Sequence, residues 1–233
     1  MDKRPVHAAL ALLLALSGGV ASAQVVGDEV CPKHAVDVAS YATCDGDTVV
    51  HATGFDLQAA LIAEERVSAS DRTSLGLYVD ALSAHRLKSH AAHKVVLVDV
   101  RSQLEVVLAG RATPVDLHVP FIEHTLYRTA SGRGWTMAEN GAFIDELVHQ
   151  LQRHNADIDT IILVMCRSGE RSARVVNALA EAGYLLAVNV IDGFEGDLGS
   201  DGKRSINGWK NAGLPWTEDA RAIASYVDVS RSD

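Results

Sequence analysis

The sequence predicts an α/β fold in which a parallel sheet is covered by helices on both faces. Two apolar runs and a third, mostly apolar segment have the length of buried strands, and two of the three end at an aspartate. Helical patterns alternate with these runs, which indicates parallel strands joined by crossover helices. The predicted strands are Val95–Val98, Ile161–Met165 and Ala187–Ile191, with a further short strand closing at Val119–Pro120.

Two helices of this domain follow from apolar residues at helical spacing. The segment Asn140–Arg153 is apolar at positions 143, 144, 147, 148 and 151. In Ser172–Gly183 the inward residues are Val175, Val176 and Leu179, and Gly183 is expected to end the helix. The segments 131–134 and 195–205 are predicted as exposed loops.

The first 23 residues have the pattern of a secretory signal peptide. Lys3 and Arg4 form a charged start, an apolar run covers positions 8–16, and small residues at 21–23 form a cleavage motif. The run is shorter than the roughly 20 apolar residues that span a bilayer, so a retained membrane anchor is the weaker alternative. We therefore expect a periplasmic or secreted protein that has no contact with the membrane after cleavage.

The mature chain is predicted to begin with an extension, residues 24–93, that is mainly helical and packs against the main domain at 94–217. Its helices are expected over Leu57–Arg66 and from a Ser70–Asp71 cap through Leu82. Residues 218–233 form a C-terminal tail. The tryptophan-containing segment before the tail, 209–216, is expected to pack the domain closed.

The three cysteines divide into a pair and a single residue. Cys31 and Cys44 lie close together in the extension and are predicted to form a disulfide, because export takes the chain to an oxidising compartment. Cys166 would then be a free thiol that calls for an explanation. The alternative is that all three cysteines are free or that another pair forms.

Charge and composition exclude several classes of function. The net charge of −9 lacks the basic surface that nucleic-acid binding requires, and an anionic substrate would need locally clustered arginines. His85, His90 and His93 have no matched carboxylates or cysteines, so no metal site is expected. There is also no glycine-rich dinucleotide fingerprint, and we predict no cofactor.

Cys166 stands where a buried strand ends and a helix begins. Sites in parallel α/β sheets form beyond this end of the strands. Loop amides, the helix dipole and the charges of Arg167 and Arg171 all favour a thiolate over a thiol there, and the same cradle suits an oxyanion. The alternative is that Cys166 has only a structural role, as a small buried residue that ends a strand. The residues that follow it are polar, charged or glycine, whereas a core would require apolar neighbours.

Three segments together resemble a rhodanese domain, from the sulfurtransferase family. They are Val-Val-Leu-Val-Asp-Val-Arg at 95–101, Cys-Arg-Ser-Gly-Glu-Arg-Ser at 166–172, and Asp-Gly-Phe-Glu-Gly-Asp at 192–197 with Trp-Lys-Asn-Ala-Gly-Leu-Pro-Trp at 209–216. The segment 110–120 departs from the Gly-His-Ile-Pro-Gly-Ala-like pattern of that family, which puts the shape of the neighbouring wall in doubt.

The resemblance implies that the Cys166 thiolate takes the outer sulfur of a small anionic donor such as thiosulfate. The resulting persulfide would pass the sulfur to cyanide or a thiol, on a small molecule or a protein. Asp99 and Arg101 resemble the strand-end pair of the family and are expected to fix the loop. The residues implied in donor binding are Arg167, Ser168, Gly169, Glu170, Arg171 and Ser172.

The carboxylate of Glu170, at the rim of the loop, would repel an anionic donor. We expect it either to pair with a neighbouring arginine or to favour a less charged substrate.

Three other functions compete with this one. A cysteine phosphatase or arsenate reductase places an arginine six residues after the cysteine, whereas here Arg171 is five residues after Cys166. The shorter loop suits a single sulfur atom. A non-catalytic binding module of the same fold usually lacks the cysteine. A persulfide carrier that serves one protein acceptor differs only in the acceptor, and the sequence does not separate it from the enzyme.

Overall fold

The computed structural model describes residues 57–132 and 134–219, which form a parallel sheet with helices on both faces. The predicted fold class is confirmed. The strands are β1 Tyr78–Val79, β2 Val95–Asp99, β3 Arg111–Ala112, β4 Leu117–His118, β5 Ile122–Arg128, β6 Trp135–Glu139, β7 Ile161–Met165, β8 Ala187–Val190 and β9 Trp216–Thr217. The main sheet has the order β1-β8-β7-β2-β4, and every neighbouring pair is parallel.

The helices connect these strands and cover the sheet. They are α1 Leu57–Ala60, α2 Ala81–His90, α3 Gln103–Ala109, α4 Phe143–Arg153 and α5 Glu170–Glu181. Two antiparallel pairs stand outside the main sheet, namely β3 with β9 and the hairpin of β5 and β6. No helix in the described part of the chain is long and apolar enough to cross a membrane.

Alternate residues of the central strands face two separate apolar cores. On one face, Val96, Val98 and Val164 pack with α4 and α5. On the other, Leu97 and Met165 pack with α2 and with the buried Trp209. Successive side chains of a strand point to opposite faces, so a continuously apolar strand requires cover on both sides. The segment 209–216 was expected to pack against the domain, and this is confirmed at Trp209, which is fully buried.

The extension is less helical than predicted in the part that the structure describes. Tyr78 and Val79 lie in edge strand β1, beside Asn189 and Val190 of β8. The helix predicted through these residues is therefore wrong, because Gly76 has a φ of +65° and interrupts the segment. A new helix, α2, begins after Asp80, whose side chain accepts a hydrogen bond from the Ser83 amide.

The other predicted helix of the extension, over Leu57–Arg66, is divided. The α-helix ends at Ala60, and a 3-10 turn covers Glu64–Arg66. The predicted signal peptide, Cys31, Cys44 and the tail from residue 220 lie outside the described residues.

Candidate active site

Cys166 lies directly after β7, in the middle of the main sheet. The loop 167–169 then leads into α5, whose cap residue Gly169 has a φ of +99°. A Cβ atom added to Gly169 would lie 2.2 Å from the Ile191 carbonyl oxygen. A side chain at this position would be both strained and obstructed, so the tight turn of the loop depends on glycine.

Among the residues that the structure describes, two donors contact the sulfur of Cys166. The Gly169 amide donates a hydrogen bond to Sγ at 3.2 Å. The hydroxyl of the fully buried Ser172 lies 3.3 Å from Sγ and 2.9 Å from the Gly169 carbonyl oxygen, so its single proton can serve either acceptor. Both donors stabilise a negative sulfur more than a neutral one.

The first residues of α5 supply further amides at the same place. Within the described chain, the N–H groups of Glu170 and Arg171 have no hydrogen-bond acceptor, as is usual in the first turn of a helix. Such amides favour a negative charge beside them. The loop can therefore hold an anionic atom bonded to Sγ.

Arg171 does not present a free guanidinium to this loop. Its Nη1 donates to Oε2 of Glu105 at 2.7 Å, and its Nη2 donates to Oε1 at 2.6 Å. Burial alone would raise the pKa of Glu105, but the hydrogen bonds and charge of Arg171 outweigh burial and lower this pKa to about 2. The two charges cancel, and Arg171 joins α5 to α3.

Arg167 is the more open of the two loop arginines. Its side chain is 43 % exposed, and its Nε lies 3.9 Å from Oε1 of Glu105. This distance is too long for a hydrogen bond. Arg167 therefore remains able to bind an anion at the rim of the loop.

Asp99 and Arg101 form the expected ion pair at the end of β2. The Nη2 of Arg101 lies 2.6 Å from Oδ2 of Asp99, and both side chains are fully buried. Burial opposes ionisation of Asp99, but the charge of Arg101 lowers the pKa of Asp99 below its ordinary value. Arg101 also donates to the Gly110 carbonyl and stacks on Phe194, with its Cζ 4.0 Å from the ring centroid. The pair ties β2 to the segments beside the loop.

Glu170 is exposed at the start of α5, and no ion pair joins it to an arginine within the described residues. Its charge acts with that of Asp197 on the buried Asp71, and desolvation raises the pKa of Asp71 first of all. The carboxyl carbon of Asp71 lies 3.0 Å from the place of a Cβ on Gly169. One side of the loop is thus acidic.

Asn189 and Asp192 lie at the end of the neighbouring strand, and Asn189 contacts the loop directly. The side-chain amide of Asn189 donates to the Asp71 and Gly169 carbonyls at 2.8 and 3.2 Å. Asp192 accepts from the Ala81 and Gly208 amides at 2.7 and 3.1 Å, and burial raises the pKa of Asp192 to about 6 despite these donors.

The structure brings residues 166–172 together, and Asp99 and Arg101 lie at the end of the adjacent strand β2. Glu105 was not among the site residues predicted from the sequence. A signal for it was present, because Ser102-Gln103-Leu104-Glu105 follows the Asp-Val-Arg strand end and has the form of a capping box. The structure contains that box, with the Ser102 hydroxyl accepting from the Glu105 amide. Among residues 57–132 and 134–219, no group of three or more metal-ligating side chains is found.

Comparison with known proteins assigns residues 83–197 to a family described as "Rhodanese-like domain". The chain is similar to Uncharacterized protein RP600 of Rickettsia prowazekii (strain Madrid E), with 44 % identity over 62 residues, or 27 % of this chain and 46 % of that protein. A protein of Rickettsia conorii, RC0915, is 40 % identical over the same length. The chain thus spans about half the length of the curated relatives that it matches.

Solved structures are also similar. The crystal structure of Rv0390 from M. tuberculosis is 31 % identical and has a TM-score of 0.45, over 60 % of this chain and 96 % of that one. The polysulfide-sulfur transferase homodimer from Wolinella succinogenes is 18 % identical with a TM-score of 0.38, over 66 % and 85 %. From the family match, this chain contains a rhodanese-like domain at residues 83–197.

Proposed function

We propose that the protein is a sulfurtransferase that moves sulfane sulfur from thiosulfate, or a similar small anionic donor, to cyanide or a thiol. The observation that carries the proposal is the pair of donors on Cys166 Sγ, the Gly169 amide at 3.2 Å and the Ser172 hydroxyl at 3.3 Å. They favour the thiolate that attacks a sulfur atom.

In the proposed reaction, the Cys166 thiolate attacks the outer sulfur of thiosulfate. A new S–S bond forms to Cys166, the S–S bond of the donor breaks, and sulfite leaves with the electron pair. The persulfide carries the negative charge on its outer sulfur, where the free amides of the first turn of α5 stabilise it. A cyanide ion or a thiolate then attacks that sulfur, and the Cys166 thiolate is restored.

The contacts of Arg171 argue against a phosphatase or an arsenate reductase. Those enzymes need an arginine fork that is free for a tetrahedral oxyanion, whereas the fork of Arg171 is occupied by Glu105. Cys166 is only 1 % exposed, which favours a small donor over a bulky one. A protein thiol as the final acceptor, served by a persulfide carrier, belongs to the same proposal and differs in its second step.

We also propose that the chain is exported through its N-terminal segment 1–23 and acts in the periplasm or outside the cell, with a Cys31–Cys44 disulfide. Thiol titration of the unreduced mature protein is then expected to find one thiol, that of Cys166. Three titratable thiols would overturn the disulfide.

The function is tested by measuring thiocyanate formation from thiosulfate and cyanide, and sulfite release with a thiol acceptor. The wild-type protein is expected to be active, and Cys166→Ser is expected to be inactive. Absence of transfer to either acceptor, or full activity of Cys166→Ser, would contradict the proposal.

A further inference from the structure

The loop between Phe194 and Trp209 is joined to the loop of Cys166 by backbone hydrogen bonds. The Phe194 amide donates to the Cys166 carbonyl at 2.9 Å. The Glu195 and Gly196 amides donate to the Arg167 carbonyl at 3.0 and 3.1 Å. Whatever side chains this second loop carries are therefore held beside the candidate active site.

This second loop, residues 195–208, is mostly exposed, as the sequence predicts for 195–205, and its backbone is held by hydrogen bonds. The side-chain amide of Asn211 donates to the carbonyls of Glu195, Arg204 and Asn207 at 2.9, 3.2 and 2.8 Å. Leu198 and Arg204 form an antiparallel bridge across the loop. The position of Arg204 is thereby fixed by its backbone.

The side chain of Arg204 contacts the part of this loop that is hydrogen-bonded to Arg167. Its Nη1 donates to the Gly196 carbonyl, and the amide of the same Gly196 is bonded to Arg167. Burial lowers the pKa of Arg204, and the positive charges of Arg167 and Arg171 lower it further, while Glu195 and Asp197 act in the opposite direction. Arg204 is thus electrostatically coupled to the arginines of the Cys166 loop.

The arginines of the Cys166 loop differ in whether they can bind an anion. Arg171 is neutralised by Glu105, whereas Arg167 is 43 % exposed and its Nε lies 3.9 Å from Oε1 of Glu105. Arg167 and Arg204 repel each other, and an anion bound near both relieves this repulsion. A guanidinium also binds a sulfonate or carboxylate oxygen with two hydrogen bonds in a fixed direction.

We propose that Arg204 is a specificity-determining residue, which binds the anionic end of the sulfur donor together with Arg167. This inference rests on the proposed sulfur transfer. When the S–S bond of thiosulfate breaks, charge increases on the departing sulfite, and the two arginines stabilise it. Arg171 is then a positioning residue, which holds the loop through Glu105.

The inference can be tested without sulfur transfer, by alkylating Cys166 with iodoacetate and with iodoacetamide. In both reactions the thiolate forms an S–C bond and iodide leaves, and the reagents differ mainly in one negative charge. We expect Arg204→Gln to slow the reaction with iodoacetate about fivefold and to leave that with iodoacetamide within about twofold. Arg204→Lys is expected to restore most of the rate with iodoacetate.

Lys203→Gln is the matched control. It removes the same charge from the neighbouring position, where the side chain is exposed. It is expected to leave both rates unchanged. Equal effects of Lys203→Gln and Arg204→Gln on iodoacetate, or an equal loss with both reagents in Arg204→Gln, would overturn the inference.

Thiosulfate kinetics separate this inference from the proposed function. We expect Arg204→Gln to raise KM for thiosulfate about fivefold or more, with a smaller change in kcat. An active wild-type protein whose KM does not respond to Arg204→Gln would contradict the inference alone. An inactive wild-type protein whose ratio of alkylation rates still depends on Arg204 would contradict the proposed function and leave Arg204 as an anion-binding residue.

Discussion

Glu105 holds Arg171 by two charge-assisted hydrogen bonds, at 2.7 and 2.6 Å. Glu105 lies in α3, after β2, and Arg171 lies in the first turn of α5, after β7. The pair therefore joins the two helices that follow adjacent strands at the end where Cys166 is located. Its effect is on the shape and charge of the site, since it removes one arginine from anion binding.

Glu105→Gln is expected to lower the free energy of unfolding by about 2–3 kcal/mol, because it leaves the mostly buried guanidinium of Arg171 without a counter-charge. Glutamine can still complete the capping box, so the change isolates the charge. Glu139→Gln is the control, since Glu139 and its partner Arg174 are both exposed and their pair contributes about 1 kcal/mol or less. Similar losses in the two variants, measured by urea unfolding, would contradict this role of Glu105.

The ion pair of Glu105 and Arg171 makes the free energy of unfolding depend on pH in the acidic range. The pKa of Glu105 is about 2 in the folded protein and near 4.5 ordinarily. Because it is depressed on folding, its contribution is complete above pH 4.5 and is lost as the pH falls towards 2. The stability advantage of the wild type over Glu105→Gln is expected to fall by about half between pH 7 and pH 3. An advantage that stays constant over this range would be the contrary result.

Gly169→Ala is expected to destabilise the fold by about 3 kcal/mol or more, through strain and collision with the Ile191 carbonyl. Gly183→Ala is the matched control, because Gly183 has a φ of +93° but nothing within 4 Å of its added Cβ. This control is expected to lose only about 1 kcal/mol, from backbone strain. Equal losses in thermal or urea unfolding would show that the close packing at Gly169 is unimportant.

Ser172→Ala is expected to slow alkylation of Cys166 by iodoacetamide at neutral pH about tenfold, because the thiolate loses a hydroxyl donor. Ser168→Ala makes the same change in the same loop, and within the described chain the Ser168 hydroxyl donates no hydrogen bond to Sγ. The control should react at the wild-type rate. A Ser172→Ala variant that reacts as fast as the control would remove Ser172 from the site.

The parallel sheet could be predicted because its strands are buried on both faces. The pattern is a short run that is apolar throughout, as in Val95–Val98 and Ile161–Met165. Such a run predicts a strand in the interior of the sheet. The hairpin of β5 and β6 and the two-residue strand β1 could not be found in this way. β5 and β6 pair with each other and have no continuous apolar run, since β6 is mostly exposed. β1 depends on partners distant in the chain, because Tyr78 and Val79 pair with Asn189 and Val190.

The candidate site was predictable where its residues are consecutive. Cys166, the loop 167–169 and the first turn of α5 are continuous in the chain, so nearness in sequence brings Gly169 and Ser172 to Sγ. Glu105 and Arg204 reach that loop only through the fold, from segments 61 residues before Cys166 and 38 residues after it. Local sequence could therefore suggest two arginines for an anion, but not that one of them is neutralised and a third lies beside them.

The central claim, that Cys166 accepts sulfur, is tested most directly by the intact mass of the protein after treatment with thiosulfate. We predict the addition of one sulfur atom to the wild-type protein, located on Cys166 by peptide mapping and removed by cyanide. Cys166→Ser should show no addition. A wild-type protein that gains no sulfur, or a Cys166→Ser variant that gains as much as the wild type, would contradict the account.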